Sequence, residues 1–443
     1  MKKTKIGFVS LGCPKNQLDT EVMLHKLTAA GYELTPEETE ADIIVINTCA
    51  FIESAKQEAI ENILDIAWLK EHENLKGIVV TGCLVERYRD EVMDEIPEVD
   101  AILGVGSIDR IVDAVRAVEN HEKYKSYEDK EAIELGGDRV ITTGDTMAYL
   151  KISEGCDNRC TYCAIPSIRG RFRSREEDDI VREAKELTDM GIRELVVIAQ
   201  DTTAYGIDLY GEYRLPKLLR RLTEETDVHW VRILYCYPDK ITEELITEIA
   251  SNPKIVKYID LPVQHANSRV LRRMNRKGDG EVVRDAIRRL REGIPGVTIR
   301  STAIVGFPGE TDEEFEELCE FVKWARFEHF GAFTYSREEG TPAYKLPDQI
   351  DEQVKQDRYD ILMRMQTDLH DEIASQYVGK TVEVLCEGYD VVAETHYGRR
   401  ANDAPEIDGK IYFSAPKKQK PGSFVQVRVT EAMDYDLYGE MVK

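Results

Sequence analysis

The chain has no apolar run approaching the roughly 18–20 residues of a membrane span. Its start, Met1-Lys2-Lys3-Thr4-Lys5, is basic, but the apolar stretch that follows ends at Lys15-Asn16-Gln17. That is too short for a secretory h-region and suits a first β-strand better. The expectation is a cytoplasmic protein without membrane contact. In a reducing compartment, clustered thiols bind metal or do redox chemistry rather than form disulfides. A basic excess is also missing: 59 Lys and Arg against 84 Asp and Glu leave a net charge of −25. Nucleic-acid binders draw most of their affinity from neutralising phosphate, and usually carry the opposite sign. The acidity fits solubility and repulsion of polyanions, or a basic protein partner.

What the chain does have is length and grouped cysteine. Its 443 residues exceed one ordinary core, and 42% hydrophobic residues suffice for burial, so two or three domains are expected. Residues 1–120 repeat one pattern three times. Lys5–Leu11 runs into Gly12-Cys13, Asp42–Asn47 into Thr48-Cys49, and Gly77–Thr81 into Gly82-Cys83. Each short Ile/Val-rich run precedes a helical stretch, such as Asp19–Ala30 or Ala55–Leu69. These read as βα units of a parallel sheet covered on both faces. Residues 121–146 read as a charged linker that carries a β-hairpin around 132–143. Residues 147–340 alternate again, with candidate strands at Ala148–Ile152, Glu194–Ala199, Trp230–Tyr235, Tyr258–Leu261, Thr298–Val305 and Phe330–Tyr335. Six such units suggest a partial (β/α)6 barrel rather than a full eightfold one. A capping box at Thr311–Glu314 opens a helix to Ala325. A helical connector, 341–374, leads to a β-rich tail, 375–443. Its strands are expected at Thr381–Leu385, Val391–Tyr397, Lys410–Phe413 and Phe424–Val429, a small barrel by composition. The class is α/β with an all-β C-terminal barrel.

Six of nine cysteines form two sets. Cys156-x3-Cys160-x2-Cys163 places three thiolates within eight residues, right after the first barrel strand. Three thiolates fit three irons of a [4Fe–4S] cube and leave the fourth iron open to a small molecule. Structural zinc needs a fourth closed ligand, and no cysteine or histidine is near to supply one. Cys13, Cys49 and Cys83 each come just after a strand. In open parallel sheets the functional crevice lies beyond those carboxyl ends. Spacing alone leaves two readings of them open, a metal site or three buried core thiols. Cys319 and Cys386 read as structural, and Cys236 as lining a strand end. Gln200, Gln264 and Arg300 are candidates to line a pocket for a zwitterionic cofactor, with an inward ion pair as the alternative for Arg300. Arg169, Arg171, Arg173 and Arg175 alternate, as on a solvated strand face or against an anion.

Taken together, these motifs resemble the methylthiotransferases, a radical S-adenosylmethionine (SAM) family. The likeness spans the chain as an N-terminal methylthiotransferase domain (1–120), a radical SAM core (147–340) and a C-terminal TRAM domain (375–443). Within the family it leans to the branch that modifies an aspartate of small-subunit ribosomal protein twelve. The carriers of that likeness are Ser10–Gln17, Asn47–Ser54, Tyr235-Cys236-Tyr237-Pro238 and Tyr435-Asp436-Leu437-Tyr438-Gly439. Members of that branch often have Trp where Tyr438 stands, a swap that keeps an aromatic ring.

The resemblance implies two [4Fe–4S] clusters, the auxiliary one on Cys13, Cys49 and Cys83. It implies that SAM binds the open iron at Cys156, Cys160 and Cys163, with Tyr162 near the adenine. It further implies a 5′-deoxyadenosyl radical that takes hydrogen from the aspartate β-carbon, sulfur delivered at the auxiliary cluster, and a methyl group from a second SAM. An unactivated C–H is beyond any general base, so a cofactor must carry that step. An electron donor and a sulfur donor are implied as partners. The C-terminal barrel holds nine basic and eleven acidic residues, net 9 − 11 = −2. That suits a basic protein rather than direct tRNA binding, and Glu431, Asp434 and Asp436 are candidate contacts. Two other readings stand beside this one: the tRNA-adenosine branch of the same family, and a non-enzymatic iron–sulfur carrier.

Overall fold

The computed structural model describes residues 3–133 and 135–442. The chain divides into two compact units. The first takes the chain up to Thr142, with Ser153–Arg173 and Ser336–Tyr344. The second takes Thr143–Ile152, Ser174–Tyr335 and Lys345 onward.

The first unit is built on a six-stranded parallel sheet, ordered β2-β1-β3-β4-β5-β6. Its strands are β1 (Lys5–Ser10), β2 (Glu33–Leu34), β3 (Ile43–Thr48), β4 (Gly77–Gly82), β5 (Ala101–Leu103) and β6 (Tyr124–Ser126). β3 and β4 are buried along their whole length, as continuous apolar strands must be. Alternate side chains supply two cores. Ile44, Ile46, Ile78 and Val80 pack with Ile63 and Ile66 of helix Glu53–His72. Ile43, Val45 and Val79 pack with Met23, Leu27, Ala114 and Val118 of helices Pro14–Ala29 and Ile111–Glu119.

The three sequence repeats are β1, β3 and β4. The short β2, β5 and β6 carry too few residues to show a pattern. The hairpin expected around 132–143 includes Glu134, which lies outside the described residues; the described part of that segment forms no strand. It is held to helix Pro14–Ala29 instead. Glu21 accepts from Thr142 N and Oγ1 at 2.7 and 2.8 Å and pairs with Arg139.

The second unit has its own six-stranded parallel sheet, ordered β14-β13-β12-β11-β10-β7. β7 is Met147–Lys151, and the short β8 (Ser153–Glu154) and β9 (Arg173–Ser174) stand before and after the cysteine loop in the chain. The others are β10 (Glu194–Ile198), β11 (Trp230–Ile233), β12 (Ile255–Asp260), β13 (Thr298–Val305) and β14 (His329–Thr334). β7 and β14 are its edges, so the partial barrel is the architecture observed. The capping box forms as read: Thr311 and Glu314 cap helix Asp312–Ala325 reciprocally.

Helix Glu352–Ser375 leads to a closed five-stranded barrel of β15 (Thr381–Asp390), β16 (Thr395–Arg399), β17 (Ile411–Ser414), β18 (Phe424–Met433) and β19 (Asp436–Met441). The strand missing from the sequence reading is β19. It follows a two-residue turn, Asp434-Tyr435, with both φ positive (51° and 71°), the twist-matched hairpin connection. Val391 and Val392 were expected inside a strand but lie in a turn, 77% and 94% exposed. Asp390 Oδ1 accepts their segment's amides, from Val392 at 2.8 Å and Ala393 at 2.9 Å, and such an Asx turn outcompetes β-propensity.

The segment Arg399–Asp408 of this barrel reaches every strand of the second unit's sheet. Tyr149 of β7 donates to Glu406 (2.9 Å), Arg232 of β11 to Ala401 O (2.9 Å) and Tyr258 of β12 to Asp408 (2.6 Å). Asn402 donates to Thr298 of β13 (2.6 Å), and its carbonyl meets His329 of β14 (2.9 Å). On β10, Glu194 lies fully buried between Arg232 (2.7 Å) and Arg399 (2.6 Å). Burial by itself would raise the Glu194 carboxyl, but the two guanidinium groups hold it below its ordinary value. Among the described residues no helix is long and apolar enough to cross a membrane.

Breaking a buried ion network by removing one partner is strongly destabilising. Glu194→Gln removes the buried carboxylate that Arg232 and Arg399 share, and leaves Arg399 with Glu387 at 2.7 Å. It is expected to cost the second unit about 3–5 kcal/mol, read as a lower urea midpoint in Trp230 fluorescence.

Candidate active site: two thiol sets and a buried arginine

β1, β3 and β4 are neighbours in the sheet, and each ends at a cysteine. Cys13 is the N-cap of helix Pro14–Ala29, Cys49 follows β3 directly, and Cys83 opens helix Cys83–Tyr88. The three thiols act on one another electrostatically. Two glycines allow the approach. A Cβ on Gly12 (φ +94°) would stand 2.7 Å from Cys49 Cβ, and one on Gly82 (φ +95°) would stand 2.5 Å from Thr48 O. Cys49 and Cys83 are buried and Cys13 is half-buried. Burial pushes the Cys49 thiol up, and pushes Cys83 up to about 12. Loading metal on these thiols must therefore release protons.

Arg169 is the residue the sequence reading misplaced. The alternating arginines were read as a solvated strand face or an anion contact. Arg169 instead ends a short helix, Ile165–Arg169, and is 3% exposed. Its Nη1 donates to Asp19 Oδ2 at 2.6 Å, and Glu154 Oε2 lies 3.6 Å away. Its Nη2 donates to Asn16 Oδ1 and to Cys83 Sγ, the latter at 3.8 Å. Asn16 is fully buried and anchored by donating to Leu11 O (3.1 Å) and Thr48 O (2.9 Å), so it ties the Cys13 and Cys49 loops together. Arg175 is buried as well, between Asp179 and Glu183 at 2.6 Å each. Arg173 donates to backbone carbonyls of Lys130, Glu131 and Ile133. Of the four, Arg171 is the exposed one, at 70%. One sequence signal pointed this way: Pro166 sits in the first turn of that helix, where proline is favoured.

Cys156, Cys160 and Cys163 lie on the irregular loop between Glu154 and that helix. Cys156 and Cys160 are buried and Cys163 half-buried. Cys156 N bonds Gly170 O (3.2 Å), Cys163 N bonds Cys160 O (3.1 Å), and Ala343 N bonds Thr161 O (2.9 Å). Asn158 Nδ2 donates to Cys156 Sγ at 3.5 Å. Ala164 and Ile168, just beyond the cysteines, join the core against β3 and β4. The loop with Tyr162 thus belongs to the first unit, with Cys13, Cys49 and Cys83. Among the described residues no three Cys, His, Asp or Glu side chains are gathered tightly enough for a single metal ion. A cube spreads its three thiolates over three irons, and soft sulfur donors are what such clusters take.

The other candidates lie in the second unit. Gln200 follows the carboxyl end of β10. Gln264 (φ +69°) follows β12 and bridges to Ala303 of β13. Arg300 is the third residue of β13, 3.2 Å from Asp260 and 3.5 Å from Asp408, so the inward ion pair is present. Cys236 is buried at a strand end, its thiol pushed up by burial and then by Asp260 and Asp201. Asp436 accepts from Lys410 N (2.6 Å) and serves the barrel turn, while Glu431 and Asp434 are exposed.

Three family models match: the radical SAM superfamily over residues 150–322, "Uncharacterized protein family UPF0004" over 5–104, and the TRAM domain over 378–442. A solved radical SAM methyltransferase, TsrM from Kitasatospora setae, shares the fold at a TM-score of 0.54, with 14% identity over 86% of this chain and 79% of that one. The models define the class, a radical SAM protein with a C-terminal TRAM domain. Two relatives named ribosomal protein uS12 methylthiotransferase RimO, from Thermoanaerobacter sp. strain X514 and Desulforamulus reducens, are 48% and 47% identical over 98% and 99% of this chain and 99% of their own lengths. The chain belongs to the RimO family.

Thiolate, not thiol, is the nucleophile in alkylation, and access limits it further. In metal-free folded protein, iodoacetamide at neutral pH is expected to label half-buried Cys13 and Cys163 first, ahead of Cys319, which is half-buried as well but has its thiol pushed up to about 11 by burial. Cys83 should resist until the medium approaches its raised value or the fold opens, as peptide mass mapping would read.

Proposed function

We propose that this chain inserts sulfur at the β-carbon of an aspartate in ribosomal protein uS12 and methylates it, giving 3-methylthioaspartate. The observation that carries this reading is the presence of two three-thiol sets in one compact unit, joined by a buried arginine from one loop that reaches the other set. Making a carbon–sulfur bond at an unactivated carbon needs both a radical generator and a sulfur-presenting site. An iron–sulfur carrier needs neither in this paired form.

In this reading Cys156, Cys160 and Cys163 hold one [4Fe–4S] cluster, and Cys13, Cys49 and Cys83 hold a second. A cluster held by Cys156, Cys160 and Cys163 would, with SAM bound, supply the one-electron chemistry for hydrogen abstraction from carbon. Tyr162 flanks the adenine, and Gln200 and Gln264 supply side-chain amides for the polar groups of SAM. Arg300 is the candidate cation for the SAM carboxylate. Residues 1–120, 147–340 and 375–443 serve as auxiliary-thiol, radical and substrate-side domains. The work is done in the cytoplasm with an electron donor and a sulfur donor.

The ribosomal-protein branch is favoured over the tRNA branch by charge. Of the basic residues in the C-terminal barrel, Arg399 and Arg400 are buried in ion pairs with Glu194, Glu387 and Asp403. Less positive charge is left for phosphate than the composition suggests.

Anaerobically reconstituted protein is expected to hold about eight irons, and the Cys13→Ala/Cys49→Ala/Cys83→Ala variant about four, with SAM cleavage retained. Offered uS12 and an isopentenyl-adenosine tRNA in parallel with SAM, sulfide and reductant, the enzyme should add methylthio mass to the protein aspartate. A gain on the tRNA alone would transfer the chain to the other branch. Absence of 5′-deoxyadenosine would return it to a carrier role.

A further inference from the structure

Arg169 follows the loop of Cys156, Cys160 and Cys163, yet its guanidinium reaches Cys83 of the other set. It is buried, points Nη2 at Cys83 Sγ from 3.8 Å, and shares Asn16 Oδ1 with that thiol, which lies 3.6 Å from it. Asp19 and Glu154 add two buried carboxylates at 2.6 and 3.6 Å. Burial opposes the charge of Arg169, but Asp19, Glu154, Cys83 and Cys13 outweigh it and keep the group cationic. A guanidinium does not deprotonate in proteins, and its planar fork fixes the donors in place. Placing three thiolates here adds negative charge beside the two carboxylates, and Arg169 is the cation bonded into that cluster of groups.

We infer that Arg169 is a positioning residue for the group held by Cys13, Cys49 and Cys83, and that its charge and its hydrogen bond to Cys83 set the reduction potential of that group. This rests on the auxiliary-cluster reading above. Net charge and hydrogen bonds to sulfur are the levers that move iron–sulfur potentials. A nearby cation stabilises the reduced, more negative state and raises the potential, and a nearby carboxylate lowers it. Because the arginine is delivered by the radical-cluster loop, the potential of one thiol set depends on how the loop of the other is seated.

The test uses the full chain carrying Cys156→Ala, Cys160→Ala and Cys163→Ala, so that iron on the remaining set is the signal. Iron content and the midpoint potential, from an EPR-monitored redox titration, are compared for this parent and for added Arg169→Gln, Arg169→Lys and Asp19→Asn. The expected result is a potential shifted down by Arg169→Gln, less so by Arg169→Lys, and shifted up by Asp19→Asn. A purely structural arginine would change iron retention without moving potentials in these opposite directions. If Arg169→Gln holds no iron, Arg169→Lys and Asp19→Asn decide the matter. Iron-loaded variants with the parent's potential would overturn the inference alone. A parent without iron would overturn the auxiliary-cluster reading and this inference with it.

Discussion

The first unit turns on one buried cation. A guanidinium sealed from water is tolerable only with carboxylates and acceptors around it, and Arg169 finds Asp19, Glu154 and Asn16. Those partners come from helix Pro14–Ala29 and from the residues just before Cys156. Satisfying the charge therefore seats the loop of Cys156, Cys160 and Cys163 on the sheet that carries the strand-end thiols. Ala164 and Ile168 add apolar contact in the same place. Charge and packing agree, and the result is a unit in which six cysteines share one scaffold.

The second unit uses the same device for a different end. Glu194 on β10 bonds Arg232 from the neighbouring strand and Arg399 from the C-terminal barrel, with all three side chains almost wholly buried. An open six-stranded sheet leaves polar strand groups that a closed barrel would cover. Residues 399–408 cover them, with at least one hydrogen bond or ion pair per strand. The small barrel is thereby part of this unit's core rather than a tethered module, and its two buried arginines are withdrawn from its surface. Composition counts all nine basic residues of the barrel alike; burial does not.

Much of the fold was legible because its strands are strongly patterned. β1, β3 and β4 read directly from Ile/Val runs that end in Cys, and the six strands of the second sheet from regular alternation with amphipathic helices. What escaped reading was short or governed by side-chain capping. β2, β5 and β6 have two or three residues each, too few for a period. Val391-Val392 reads as strand by propensity but turns because Asp390 caps the amides beyond it. β19 depends on a positive-φ pair, Asp434-Tyr435, that no propensity marks.

The sequence by itself determined the chemistry available: two sets of three thiols at defined positions, three types of module, and a likeness to one enzyme family. Thiol count and spacing are properties of the chain, and strand-end placement follows from local pattern. Only the tertiary structure decided which charges meet those thiols. Arg169 and Arg171 look equivalent in sequence, yet one is 3% exposed and the other's side chain 70%. The difference arises because the partners of Arg169, Asp19 and Asn16, lie about 150 residues away in the chain, and electrostatic partnership across that distance is settled by packing, not by local pattern.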